Sequence, residues 1–155
     1  MSDLVMISAE AKALGGGLNG FREAVQRHIL RSLASEGYFQ ELAFVGGTAL
    51  RIGHQLNRFS EDLDFAVLQP LHKDRIIELG DTAFDALKQL KIVISASRDF
   101  RTIPMGGAVD KLDYVCHLEA RLPPAFRQGA NTFTVRLDVD RNPSEGWVAE
   151  PVLIK

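Results

Sequence analysis

Two aspartates separated by one residue, Asp62 and Asp64, have the spacing that most directly predicts chemistry in this sequence. On a β-strand, side chains two residues apart point to the same face, so both carboxylates project together while Leu63 and Phe65 point into the core. Adjacent carboxylates repel each other unless positive charge lies between them, and Mg²⁺ bound together with substrate phosphate oxygens is a common solution. The pair therefore predicts a metal site. For an isolated Asp-x-Asp, a solvated strand face is the alternative.

A glycine turn precedes this pair. The apolar run Leu42–Val45 has the length of a buried strand and is interrupted by Gly46 and Gly47, after which Thr48 begins a short helix. Glycines let backbone amides approach a phosphate closely, and the first turn of a helix offers unpaired N–H groups and a positive dipole end. Thr48 could donate its hydroxyl to the same anion. The turn thus predicts a phosphate site, and a bend that needs glycine only for its geometry is the alternative.

A third carboxylate, Asp138, lies in a later segment, Thr134 to Asp140, in which apolar and polar residues alternate as on a strand. If this strand lies beside that of Asp62 and Asp64, Asp138 can join the metal site, bind a second metal or accept a proton from an attacking hydroxyl. An edge strand that carries charges against aggregation is the alternative. In this order, a phosphate turn, a carboxylate pair and a lone carboxylate match the needs of two-metal phosphoryl transfer.

The elements that must position these residues follow from the hydrophobic pattern. An amphipathic helix is predicted from Leu18 to Ser35, and a second after Pro70 to about Leu90, where Gly80 favours either a weakened helix or two shorter ones. The first seventeen residues, which end in three glycines, predict no committed element. The predicted strands are Leu42–Val45, Asp62–Val67, residues 92–94, Leu112–Leu122 and Thr132–Asp140, and a short helix is predicted for Thr48–Gln55. This order predicts an α/β or α+β domain with a mixed β-sheet and flanking helices.

Bulk composition sets limits on the function. The chain of 155 residues fits one domain over 1–155, and its net charge of −2 argues against nucleic-acid binding through bulk charge but not against a local basic groove. The single cysteine, Cys116, is expected to be a core thiol. The sequence contains neither a membrane-spanning apolar run nor a secretory signal pattern, so we expect a cytoplasmic protein. The four histidines, His28, His54, His72 and His117, are not spaced as a metal cluster and are assigned to structural or surface positions.

The two segments Phe44–Leu50 and Asn57–Phe65 together resemble the signature of the AbiEii/AbiGii toxin family. These proteins are nucleotidyltransferase-like toxins of bacterial toxin–antitoxin and abortive-infection systems, and they share the minimal nucleotidyltransferase fold of the polymerase β superfamily. The resemblance extends more loosely to Arg136–Val139, where the family has a basic residue, an apolar residue and its third carboxylate.

The resemblance implies a nucleotidyltransferase-like fold and a role for each matching residue. Asp62, Asp64 and Asp138 would be the catalytic and metal-binding triad for Mg²⁺, with two metal ions expected. The nucleoside triphosphate would be held by Gly46, Gly47 and Thr48, with Arg58 and Ser60 in the loop before the aspartates. Members of known activity transfer nucleotides to RNA, including the acceptor end of tRNA, so tRNA and an antitoxin protein are the implied partners.

One departure from the family concerns the end of the chain. Family members continue past the third carboxylate into a helical C-terminal region, whereas this sequence ends at Lys155. The leading expectation is an Mg²⁺-dependent nucleotidyltransferase that acts as the toxin of a toxin–antitoxin pair. The alternative is a shortened, weak or inactive module that binds nucleotide or a partner protein without turnover.

Overall fold

A computed structural model describes residues 3–45, 48–49, 52, 62–103 and 111–141 of the chain, with backbone only for residues 101–103 and 111–112. The helices that it defines are α1 (Asp3–Ala13), α2 (Gly17–Ser35) and α3 (Lys73–Gln89). The strands are β1 (Leu42–Val45), β2 (Asp62–Val67), β3 (Val93–Ile103), β4 (Lys111–Arg121) and β5 (Thr132–Asp140). Thr48, Ala49 and Ile52 are helical, in the segment for which a short helix is predicted.

The five strands form one mixed sheet in the order β1-β2-β5-β4-β3. Strand β5, the last in sequence among the described residues, is inserted between β2 and β4, where it runs parallel to β2 and antiparallel to β4. A parallel pair needs a crossover connection, and here the crossover includes α3 and the β3–β4 pair. The predicted mixed sheet with flanking helices is confirmed.

The core lies between the helices and one face of this sheet. Strand β5 alternates strictly, because Phe133, Val135, Leu137 and Val139 are buried while the residues between them are exposed or half-buried. Helix α2 contacts β5, and α3 contacts β3 and β4, so the helices cover this apolar face. The opposite face carries the intervening residues of β2, β4 and β5, most of them polar, and is called the open face below. Ala66, Asp113 and Val115 on this face are buried.

The N-terminal segment is more ordered than its sequence predicts. Helix α1 packs against α2 through the buried Ile7 and Ala11, and the three glycines that follow form the turn between the two helices. Gly16 at the start of α2 has φ 71°, a left-handed conformation that glycine adopts without strain. The prediction of an uncommitted start was wrong because the stability of α1 comes from packing on α2 rather than from an amphipathic stripe of its own.

Strand β3 is also longer than predicted, since it runs over Val93–Ile103 rather than over residues 92–94. Its middle residues Ser95, Ser97 and Asp99 are polar and exposed, so the hydrophobic pattern ends early. Backbone pairing with β4 continues through this polar stretch, which extends the strand regardless of its side chains.

Helix α3 is continuous through Gly80, so one helix forms rather than two. Gly80 is buried beside Tyr114 of β4. A methyl group at this position would overlap the Tyr114 hydroxyl and come within 3.3 Å of the Tyr114 Cζ and Arg98 Cδ atoms. Glycine is therefore needed for close packing of the helix on the sheet, at a cost of about 1 kcal/mol in helix propensity.

We expect Gly80→Ala to lower the free energy of unfolding by roughly 1–3 kcal/mol, although alanine is the better helix former, because the added methyl overpacks this contact. The Tyr114 hydroxyl is buried and has no well-formed hydrogen bond among the described residues, so Tyr114→Phe by itself should cost little. Denaturant unfolding of both single variants and of the double variant measures the coupling between the two positions. Additive losses, with no recovery in the double variant, would contradict the steric explanation.

Candidate active site

The parallel pairing of β2 with β5 brings the predicted carboxylates together. Asp64 lies opposite Asp138 in the register, and Asp62 lies opposite Arg136. Neighbouring strands are about 4.8 Å apart, and paired residues project to the same face. From the sequence, Asp138 can join the site only if its strand lies beside the strand of Asp62 and Asp64. The structure meets this condition. Leu63 is fully buried on the core side, as the alternation of β2 predicts.

Asp138 is held by a basic neighbour on its own strand. The Arg136 Nη2 atom donates a hydrogen bond to Asp138 Oδ1 at 3.1 Å, and Nε lies 2.9 Å from Oδ2 without the alignment of a hydrogen bond. Both side chains are largely buried, with 33% and 20% of their surface exposed. The two-point contact fixes the orientation of the carboxylate and places a positive charge next to Asp62 and Asp64.

The electrostatics of Asp64 reflect crowding by negative charge. Burial raises the pKa of its carboxyl to about 6, and the nearby carboxylates of Asp138 and Asp62 add to this shift, while Arg136 opposes it. Of the charged groups that shift this pKa, two are carboxylates and one is a guanidinium, so a bound cation would relieve the crowding of Asp64.

Thr48, which follows the glycine pair in the sequence, contacts the backbone of β2 beside this site. Its side chain is 1% exposed, and its hydroxyl donates a hydrogen bond to the backbone carbonyl oxygen of Asp62. This hydrogen bond uses the hydroxyl proton that Thr48 would otherwise donate to a phosphate. In the described conformation Thr48 thus fastens the start of its helix to β2 beside the first carboxylate.

The remaining residues predicted to bind nucleotide cannot be placed, because Gly46, Gly47, Arg58 and Ser60 lie outside the described residues. The structure does show that β1 is antiparallel to β2, with Val45 opposite Asp64. Strand β1, which the glycine pair follows in the sequence, therefore ends beside the carboxylates.

The donor set can be compared with what Mg²⁺ requires. No group of three or more His, Cys, Asp or Glu side chains in the described part of the chain is arranged as a complete metal cluster, and Asp138 is paired with Arg136 instead. Mg²⁺ is commonly held by one or two carboxylates plus substrate phosphates rather than by an all-protein cage. Asp62 and Asp64 on one strand face fit that arrangement.

An acidic pair on one strand and a third carboxylate on the adjoining parallel strand form an arrangement of the kind that phosphoryl transfer uses. The family model described as nucleotidyl transferase AbiEii toxin, type IV TA system, matches residues 28–145, well over half of the chain. The chain belongs to this family of nucleotidyltransferase toxins, which confirms the resemblance drawn from the sequence.

Two solved structures from Helicobacter pylori are similar to the chain. One is of a candidate nucleotidyltransferase and the other of JHP933, and each has 23% sequence identity and a TM-score of 0.46 over 80% of this chain. The chain covers only 46% and 45% of those two proteins, less than half of their length. None of the curated proteins compared with the chain matches it significantly. Among the described residues, no helix is long and apolar enough to cross a membrane.

Sequence reasoning places Arg136 beside the carboxylates but does not identify its two-point contact with Asp138. The basic–apolar–acidic spacing of Arg136, Leu137 and Asp138 is the available signal, since residues two apart share a strand face. The sequence assigns His117 to a structural or surface position, and the structure places it, exposed, opposite Arg136 on the open face. No local pattern could have found that relation, because β4 and β5 pair across a loop.

We expect Asp64→Asn to stabilise the metal-free protein at pH 8 by about 1 kcal/mol, less than the full pKa shift implies because the carboxyl is only half-buried. The pKa of Asp64 is higher in the folded state than in the unfolded state. Wild-type stability should therefore fall, relative to the variant, as pH rises from about 4 to about 6, and the difference should then stay constant.

Thermal unfolding in EDTA between pH 4 and pH 8 measures this difference. Asp85→Asn, at an exposed position of α3, is the matched control and should show no comparable gain. A variant less stable than wild type at pH 8 would refute the proposed crowding of carboxylates.

Proposed function

We propose that the chain transfers a nucleotide from an Mg²⁺-bound nucleoside triphosphate to a hydroxyl group of an RNA acceptor. The observation that carries this proposal is the register of β2 and β5, which puts Asp138 beside Asp64 on the open face. The family supplies the reaction class, and the carboxylates supply a reason for a metal and a base.

The triphosphate would lie on the β1 side of the carboxylates, because the glycine pair directly follows β1 in the sequence. Asp62 and Asp64 would hold Mg²⁺ together with phosphate oxygens. When bound, the metal would neutralise charge that develops on the phosphoryl oxygens. Gly46, Gly47, Arg58 and Ser60 are proposed to hold the remaining phosphate oxygens through backbone amides and side-chain donors.

In this reaction the acceptor oxygen forms a bond to the α-phosphorus, the bond from that phosphorus to the bridging oxygen breaks, and pyrophosphate leaves. Asp138 would accept the proton of the attacking hydroxyl from the β5 side of the site. Arg136 fixes the direction of that carboxylate through its two-point contact. Arg136 is therefore proposed to position the carboxylate toward the attacking hydroxyl.

The biological role follows from the family and the acceptor. A toxin that modifies RNA, with the acceptor end of tRNA as the proposed target, would block translation, and an antitoxin protein would be its partner. The chain spans less than half of the two solved structures. The alternative that the experiments must distinguish is a module that binds nucleotide without turnover.

We expect the chain to label RNA when it is incubated with each radiolabelled nucleoside triphosphate, Mg²⁺ and total tRNA. Asp64→Ala should reduce the label at least 100-fold, because it removes a metal ligand and the neighbour of the proposed base. Asp99→Asn, at an exposed position on the same face but away from Asp64 in the sheet, is the control and should retain activity. Labelling that persists in Asp64→Ala would refute the assigned site.

Nucleotide binding separates inactivity from a wrong assignment. Calorimetry with a non-hydrolysable triphosphate and Mg²⁺ should give binding to wild type and weaker binding to Asp64→Ala. Binding without any transfer would favour the non-catalytic module. The absence of both would exclude the nucleotide site.

A further inference from the structure

Asp62 is the first residue of β2, and in the described part of the chain one of the two neighbouring strands pairs with it. On the β5 side the parallel ladder includes Asp62, which lies opposite Arg136. On the β1 side the antiparallel ladder ends with the pair of Val45 and Asp64, two residues before it would reach Asp62. The backbone of a proposed metal ligand therefore lies beyond the end of β1.

The Thr48 hydroxyl contacts the backbone at this point. It donates a hydrogen bond to the carbonyl oxygen of Asp62. Strand carbonyls normally accept their hydrogen bonds from the backbone of a neighbouring strand. Here a side chain that follows β1 in the sequence supplies such a bond to β2, where the ladder with β1 has ended.

Thr48 is itself held by the core. Its side chain is 1% exposed, and Ile52, which is also helical, is 4% exposed and belongs to the hydrophobic core. Residues four apart lie on the same side of a helix, so the hydroxyl and the apolar anchor face inward together. A β-branched side chain also has restricted rotation about its first bond. The hydroxyl is therefore donated from a fixed position.

We propose that Thr48 is a positioning residue for the metal site and that its hydroxyl is not a donor to the triphosphate. By holding the Asp62 carbonyl, Thr48 fixes the backbone from which the Asp62 carboxylate projects. This inference rests on the proposed function, because it concerns the metal ion of that reaction. It differs from the role that the family resemblance implies, in which Thr48 holds the triphosphate together with Gly46 and Gly47.

The hydrogen bond and the burial of Thr48 both argue against a phosphate contact. A threonine hydroxyl has one proton to donate, and this proton is shared with the Asp62 carbonyl. The lone pairs of the hydroxyl oxygen are acceptors, and a phosphate oxygen would be repelled by them. Because the side chain is 1% exposed, a triphosphate could reach the hydroxyl only after the start of the helix had moved.

The position of Asp62 explains why it needs this support. Strand ends fray more readily than strand interiors, whereas a metal ligand must stay within about 0.5 Å of its productive position. Asp64 is paired on both sides, with Val45 of β1 and with Asp138 of β5. The carbonyl and the carboxylate of Asp62 share one Cα atom, so a hydrogen bond to the first restricts the direction of the second.

The test uses the full chain and Mn²⁺, which takes the same oxygen ligands as Mg²⁺ and whose free form is measured by electron paramagnetic resonance. Thr48→Val keeps the shape of the side chain without the hydroxyl and should raise the Kd for Mn²⁺ about tenfold in the absence of nucleotide. Thr48→Ser keeps the hydroxyl and should restore most of that affinity. Ile7→Val, in the core between α1 and α2, is the matched control for lost stability and should bind Mn²⁺ like wild type.

Nucleotide binding distinguishes positioning from direct contact. With a non-hydrolysable triphosphate at saturating Mn²⁺, Thr48→Val should bind nucleotide like wild type. A phosphate donor would give the reverse result, with unchanged binding of Mn²⁺ alone and weaker nucleotide binding even at saturating Mn²⁺. That result, an equal loss of Mn²⁺ affinity in Ile7→Val, no recovery in Thr48→Ser, or no Mn²⁺ binding by wild type would overturn the inference.

The two proposals can fail separately. Weaker Mn²⁺ binding by Thr48→Val, with recovery in Thr48→Ser, would support the positioning role even if the wild-type chain transferred no nucleotide. Nucleotide transfer by the wild type, together with unchanged Mn²⁺ binding in Thr48→Val, would refute the positioning role and leave the nucleotidyltransferase assignment intact.

Discussion

The site depends on the parallel contact between β2 and β5, because each strand alone carries an incomplete set of groups. Strand β2 contributes Asp62 and Asp64, whereas β5 contributes Asp138 with the guanidinium of Arg136. When backbone hydrogen bonds join the strands in the observed register, Asp64 and Asp138 become neighbours and Arg136 lies beside Asp62. A shift by one residue would turn every side chain of β5 to the opposite face, so the buried Val135 and Leu137 fix the register of the site as well as the core.

The same arrangement lowers the stability of the fold in order to group the carboxylates of the site. Negative charge is concentrated at one point of the open face, and the raised pKa of Asp64 records the resulting cost. The helix-covered face compensates through an apolar core to which β2, β4 and β5 each contribute several buried residues. Arg136 relieves part of the repulsion around Asp64 and pairs with Asp138, and a cation bound by Asp62 and Asp64 would relieve more of it.

Much of the fold could be predicted from local patterns. Strands β1 and β2 have the predicted bounds, and α2 begins one residue before its predicted start, because each has the periodicity of a half-buried element. Helix α1 and most of β3 escape prediction for a shared reason: their conformation is stabilised by neighbouring elements rather than by a hydrophobic pattern of their own. Gly80 stands out within the α3 pattern, but its purpose is clear only with Tyr114 packed against it.

By itself the sequence determined which side chains share a face and which residue types are present, since a period of two residues is a local property of an extended chain. Thus Asp62 with Asp64, and Arg136 with Asp138, can be grouped by their spacing alone. The tertiary structure decided which strands are neighbours, and with them the approach of Asp138 to Asp64 and the row that His117 forms with Arg136. Every strand presents the same backbone donors and acceptors at its edge, so the choice of neighbour is made by packing of the whole core, which no local pattern specifies.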